Sequence, residues 1–128
     1  MLLVKRMNEG VASKVDALAY IGKHRVRDAL PLVHKATSDE YKNVRLEAVK
    51  TLAQMRDKAS INTLARMLND PYFDIRLEAV RALEHIIDPA CLPPLGKARE
   101  DVNRSVREEA KRAYYTLKMK IEEMGKKR

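Results

Sequence analysis

Asp70-Pro71-Tyr72-Phe73-Asp74-Ile75-Arg76-Leu77-Glu78-Ala79-Val80-Arg81-Ala82-Leu83 is the stretch whose reading decides the fold. Moved back by 31 residues it falls on Asp39 to Leu52, where Val44-Arg45-Leu46-Glu47-Ala48-Val49 answers Ile75 to Val80. Moved forward by the same step, Val106-Arg107-Glu108-Glu109-Ala110 answers Ile75 to Ala79. A gapless period of this size is the signature of a repeat architecture, in which each unit buries its apolar face only by stacking on a neighbour.

Within each unit the apolar residues recur at helical spacing, and no strand alternation is present. The first unit, 9–38, predicts an A helix over 11–23 with Val15, Leu18 and Ile21 inward. Its B helix, over 28–38, turns Leu30, Val33 and Ala36 inward, with Pro31 early, where a missing N–H does little harm. Unit 39–69 buries Val44, Ala48, Val49, Leu52 and Met55, then Ile61, Leu64, Met67 and Leu68. Unit 70–100 repeats this with Ile75, Ala79, Val80, Leu83 and Ile86, then Leu92, Leu95 and Ala98. Asn43, Asp74 and Ser105 are the expected A-helix caps, and Asp57 and Asp88 open the B segments.

Residues 1–8 align with the second half of a unit, so the chain opens in mid-repeat. Either it is a fragment of a longer solenoid or a half-repeat caps the stack. A terminal helix over 101–124 and a basic tail, 125–128, close the chain, and the tail is expected to be mobile. In that last helix the columns Leu46/Leu77 and Val49/Val80 become Glu108 and Lys111. Polar replacement is what a solubilising end repeat requires, and it predicts a genuine C-terminal end. Met1 to Val4 show no such change, which predicts self-association or docking through the N-terminal end.

The 128 residues fit one domain and carry a formal charge of +8, which favours acidic partners without identifying one. One cysteine, Cys91, excludes an intrachain disulfide and suits a reducing compartment. No apolar run approaches the length of a membrane span, and the start lacks a signal-peptide core. The expectation is a cytoplasmic protein with no membrane partner.

The pattern Asp-Pro-x-x-x-Ile/Val-Arg-x-x-Ala-x-x-Ala-Leu, followed by Asp-Pro-x-x-Leu-Pro-x-Leu, resembles the HEAT repeat in its short, phycobilisome-lyase-like form. The resemblance covers residues 8–117 and is clearest in the third unit. It implies a right-handed α-solenoid of antiparallel helix pairs, all-α, with about three and a half repeats and the B helices lining a concave side. It also implies that Asp39, Asp70 and Asp101, each six residues before Arg45, Arg76 and Arg107, form an Asp–Arg ladder between neighbouring units.

Columns read across the units separate scaffold from function. Glu47–Lys50, Glu78–Arg81 and Glu109–Arg112 are i,i+3 pairs on exposed A-helix faces, worth about 0.2–0.5 kcal/mol each. Lys35, Arg66 and Lys97 form a B-helix column pointing away from the core. Helices about 8–10 Å apart would set them in a stripe of roughly 20 Å. The neighbouring column, His34, Ala65 and Gly96, is small and leaves room for a ligand, and Arg99 and Arg27 extend the stripe. Two readings stand. One is an ordinary solvated face in a Lys/Arg-rich chain; the other is a groove for an acidic peptide or a phosphate backbone.

Single-strand binders set aromatic platforms beside cations. Tyr41, Tyr72, Phe73, Tyr114 and Tyr115 lie outside the basic column and are expected to pack between units. His24, His34 and His85 fall in different columns and do not converge, so no metal or cofactor is expected. The His-Glu pairs of iron-binding HEAT hydroxylases are replaced by Leu46-Glu47, Leu77-Glu78 and Glu108-Glu109. Cys91 aligns with Ala29 and Ser60, a small buried slot, and His85 with Asp88 makes a local helix-end pair. The resulting expectation is a non-enzymatic scaffold that recognises an acidic protein segment through Lys35, Arg66, Lys97, His34 and Arg99. The alternative is DNA or RNA on the same stripe.

Overall fold

The computed structural model describes residues 2–126. Eight α-helices follow one another: α1 (Leu2–Met7), α2 (Val11–His24), α3 (Leu30–Ala36), α4 (Lys42–Met55), α5 (Ile61–Met67), α6 (Phe73–Glu84), α7 (Leu92–Ala98) and α8 (Arg104–Lys126). Among the described residues there is no strand. The even-numbered helices stack on one another as one layer, and each short helix packs on the long helix that follows it. Consecutive helices therefore build a helical-repeat solenoid.

Burial explains the layer. Ala17, Ala48, Ala79 and Ala110 stand in one column and are almost fully buried, so the long helices approach closely. Around them Val44, Ile75 and Val106, with Leu18, Val49 and Val80, fill the space between helices. Gly22 lies against Thr51 and Gln54 of α4, where a Cβ would collide. Thr51 donates its hydroxyl to Leu18 O at 2.9 Å, which satisfies a buried polar group across the repeat boundary. The short helices pack mainly on the next long helix rather than on each other.

α3, α5 and α7 are each entered through one 3-10 turn: Arg27–Ala29, Lys58–Ser60 and Pro89–Cys91. Asp57 and Asp88 accept the N–H of Ala59 and Ala90, both at 2.8 Å, as the sequence reading expected. The long helices are capped differently from that reading. They begin one residue before Asn43, Asp74 and Ser105, and these residues lie inside the first turn. The turn N–H groups go instead to Asp39, Asp70 and Asp101, which accept from Tyr41, Tyr72 and Asn103 at 2.9, 3.0 and 2.8 Å. Asn103 in turn accepts from Val106 N. The repeat aspartates thus shape the turn as well as bridging units.

α8 also departs from expectation. It continues past Met124 and takes in Gly125 and Lys126 of the segment read as a tail; the rest of that segment lies outside the described residues. Earlier units leave the long helix through Arg25, Arg56 and Ile87, spaced 31 residues apart and all left-handed at φ 49, 49 and 55°. Lys118 is the next position in that series and remains helical. The residue after it is Met119, where Asp57 and Asp88 stand in the second and third units, so no side chain opens a 3-10 turn.

Candidate functional site

Arg45 shows how the ladder is made. Its Nη1 donates to the carbonyls of Asp39 (3.0 Å) and Glu40 (3.2 Å) in its own turn. Its Nε and Nη2 then donate to the Asp70 carboxylate of the next unit, at 2.8 and 3.4 Å. Arg76 repeats the arrangement on Asp101, at 2.9 and 3.2 Å. In the first unit Lys14 takes the arginine's place and pairs with Asp39 at 2.8 Å. These charged groups are spent on stacking.

The B-helix cations have other surroundings. Lys35, Arg66 and Lys97 are all exposed. Arg66 and Lys97 line one cleft of about 530 Å³ between α5 and α7, with Ala65, Leu68, Pro93 and Pro94 among its apolar walls. Lys35 lines the corresponding cleft of about 460 Å³ between α1 and α3, beside Val4, Met7 and Leu32. Between α3 and α5 Arg66 reaches back and donates from Nη2 to Thr37 Oγ1 at 3.1 Å. Two acidic residues, Glu100 and Asp101, also line the larger cleft. Asp101 is already taken by Arg76.

His34 is half-buried and hydrogen-bonded, its Nε2 2.9 Å from Oγ of the buried Ser60. Burial pulls its pKa below the ordinary histidine value; Asp57 opposes this and Arg66 adds to it. Arg99 donates from Nε to Gly96 O (3.2 Å) and from Nη1 to Tyr115 Oη (3.1 Å). Its guanidinium carbon lies 4.1 Å from the Tyr114 ring centre and 5.6 Å from that of Tyr115. Arg27 lies 3.6 Å from Asp57 and is largely exposed.

The aromatic residues follow only in part the reading that packed them between units. Tyr41, Tyr72, Phe73 and Tyr115 each remain about half exposed. Lys42 sits over the Tyr72 ring at 4.6 Å while pairing with Asp74 at 2.8 Å. Tyr114 is the exception: it is half-buried against Gly96, where a Cβ would stand 3.5 Å from the ring. The column rule missed this aromatic–cation cluster because Tyr114 sits in a core column with Ile21, Leu52 and Leu83. Its partner Gly96 lies in the outward column of α7. The glycine facing that tyrosine was the available signal.

Other side-chain pairs are partly as expected. Arg81 pairs with Glu78 at 3.1 Å and Arg112 with Glu109, whereas no such bridge joins Lys50 to Glu47. His85 does not pair with Asp88. Its Nδ1 is 2.8 Å from Arg81 O, and Asp88 faces Ala90 N and Lys58. Cys91 is fully buried beside the level of Ala29 and Ser60, and burial, helped by the Asp88 charge, pushes its thiol up to about 11. Such a thiol stays protonated and unreactive. Among the described residues no three His, Cys, Asp or Glu side chains gather as a metal would require. Among the described residues no helix is long and apolar enough to cross a membrane. At the N-terminal end Leu2, Leu3, Arg6, Asp16, Ala17 and Tyr20 line a shallow cavity of about 560 Å³, and Leu2 is 68% exposed.

A search of the curated proteins finds no match to this chain. A family model described as HEAT repeats matches residues 3–82, from α1 almost to the end of α6. That span is more than half of the sequence and contains α2, α4, most of α6 and the first full Arg–Asp rung, and the chain belongs to the HEAT-repeat family.

Proposed function

We propose that this chain is a non-enzymatic scaffold that holds an acidic segment of a partner protein along the face of α3, α5 and α7. HEAT repeats generally form protein-interaction scaffolds, and that is the starting point. The observation that carries the finer reading is the cleft between α5 and α7, with Arg66 and Lys97 at its rim and Leu68, Pro93 and Pro94 in its walls. A cationic rim over apolar walls suits a segment that alternates carboxylates with apolar side chains. Lys35 extends the charge towards α1, and Arg99 extends it towards α8. His34 contributes the wall between Lys35 and Ser60 rather than a charge, because its burial favours the neutral ring. The single cysteine, which suits a reducing compartment, supports a cytoplasmic setting for this work.

DNA or RNA on the same stripe is the second reading. The observation favouring it is Arg99 beside Tyr114 and Tyr115, since a cation next to aromatic rings is how single strands are held by stacking. The exposed Leu2 and Val4 of α1 support a further contact, self-association through the N-terminal end. A monomer mass by light scattering that does not change with concentration would count against it.

The test is fluorescence anisotropy with a labelled glutamate-rich peptide and with single- and double-stranded oligonucleotides, across a salt series. The variant is Lys35→Glu/Arg66→Glu/Lys97→Glu, with Lys35→Glu/Lys97→Glu as a second form that spares the Arg66–Thr37 bond. Peptide binding that is lost in both variants, with helicity and melting unchanged, is the expected result. Tighter oligonucleotide binding with a steep salt slope, lost in the variants, would replace it with the nucleic-acid reading. Binding indifferent to both variants would remove the stripe from either.

A further inference from the structure

Three arginines in this fold hold the same pose, and two of them are occupied. Arg45, Arg76 and Arg107 each anchor Nη1 on two carbonyls of the preceding turn. For Arg107 these are Asp101 O at 3.0 Å and Val102 O at 3.1 Å. In Arg45 and Arg76 this anchoring aims Nε and Nη2 at the aspartate of the next unit. At Arg107 no carboxylate meets those two donors among the described residues. We infer that Arg107 is a preformed docking point for an aspartate or glutamate side chain of a partner protein, at the α8 end of the ladder.

The chemistry follows from the filled rungs. A guanidinium fork matches a carboxylate by two parallel N–H donors, which is stronger and more directional than a single ionic contact. The two carbonyl bonds already restrict the Arg107 side chain, so less freedom is lost when a carboxylate arrives. Beside it Val102 is 90% exposed and Arg104 is exposed, giving an apolar and a cationic neighbour to the rung. The occupant is therefore an acidic residue with an apolar side chain close by in the same segment.

Two nearer occupants fit less well. α8 is one continuous helix from Arg107 to Lys126, a rise of roughly 28 Å along its axis, so its own later residues do not return to the rung. A second copy stacked in register would offer Asn8, which occupies the column of Asp39, Asp70 and Asp101. A neutral amide cannot supply the charge of the filled rungs. This site stands apart from the B-helix stripe and does not depend on it.

The experiment is a ¹⁵N NMR titration of the arginine Nε–Hε signals of the full chain with N-acetyl-aspartate N-methylamide. N-acetyl-asparagine N-methylamide and inorganic phosphate serve as comparison probes. Expected is a saturable shift of the Arg107 signal with the aspartate probe, while the occupied Arg45 and Arg76 signals stay in place. Arg107→Lys, which keeps the charge and removes the fork, deletes this signal and so assigns it; in that variant the backbone N–H signals of the Asp101–Asn103 turn should no longer respond to the aspartate probe as they do in the native chain. The Arg107 shift should survive the Lys35/Arg66/Lys97 reversal, which separates failure here from failure of the stripe. An Arg107 shift no larger than that of exposed Arg104, or equal with the asparagine probe, overturns the inference. Saturation by phosphate at lower concentration than by the aspartate probe overturns the carboxylate assignment.

Discussion

Arg112 of α8 closes a two-pronged ion pair on Glu84 of α6, with Nη1 3.0 Å from Oε2 and Nη2 2.8 Å from Oε1. Glu84 is only 3% exposed, in a column otherwise held by Gly22, Ala53 and Tyr115. The same guanidinium also meets Glu109, which Arg81 approaches at 3.8 Å. A carboxylate this buried tolerates its charge because Arg112 is there. The expected cost of Arg112→Ala is about 2 kcal/mol, below the 3–5 of a fully buried pair, because Arg112 itself is half exposed. Glu84→Ala in that background should recover much of the loss, as Ala53 already fills the equivalent place in the preceding unit. Urea denaturation midpoints decide it. A loss under ~0.5 kcal/mol for Arg112→Ala, or no recovery in the double variant, would show that Glu84 does not rely on this partner.

Stability should fall with acid in two separate steps. Burial depresses the His34 pKa, so the folded state favours the neutral ring and the unfolded chain takes up the proton first. Its contribution is complete above the ordinary histidine value of about 6.5 and is lost as pH falls from there through the lowered folded value. Asp39, Asp74 and Glu109 act lower down. For Asp39 burial raises the pKa, but the Lys14 hydrogen bond and the Tyr41 N–H outweigh it. Asp74 is lowered mainly by its hydrogen bond with Lys42, and Glu109 by its bond with Arg112. Their contribution is present above the ordinary carboxylate range of about 4 and disappears as pH falls through their lowered values. Denaturation midpoints from about pH 8 to pH 3 should show both falls in the native sequence and only the lower one in His34→Gln. An upper fall of equal size in the variant would assign it to another group.

The repeat column made most of the fold legible. Ile75, Ala79, Val80 and Leu83 sit where their spacing placed them, because burial of an apolar stripe is the dominant local instruction. The ladder from Arg45 and Arg76 was legible only through family resemblance, since six residues of separation suggest a pairing within one turn. The structure divides the arginine instead, with carbonyls on one side and the next unit's aspartate on the other. Glu84 was invisible in the sequence. A glutamate in a column with Gly22 and Ala53 looks like solvated surface until α8 covers it and supplies Arg112. The Tyr114–Arg99 cluster was missed for a related reason: it joins two columns that helical periodicity treats as facing apart. Contacts within a stripe follow from spacing, whereas contacts between stripes depend on how far each helix rolls in the stack.

The left-handed residues at the ends of α2, α4 and α6 offer the last test. Arg25, Arg56 and Ile87 hold φ near 50°, where an L side chain is crowded by about 1–2 kcal/mol. Arg56 is exposed and makes no hydrogen bond or ion pair through its side chain among the described residues. Its backbone N–H donates to Leu52 O, and this bond is independent of the side chain. Arg56→Gly should therefore relieve the crowding at the cost of a more flexible unfolded chain, for a net gain of about 0.5–1 kcal/mol. Ile87 differs because its side chain packs on the core. Ile87→Ala keeps the Cβ conflict and loses the packing, so it should destabilise by about 1 kcal/mol, while Ile87→Gly should fall between the two. Comparing urea midpoints for the three variants separates backbone relief from packing. If Arg56→Gly lowers the midpoint, unfolded-state entropy outweighs the crowding, and this turn is not a store of strain.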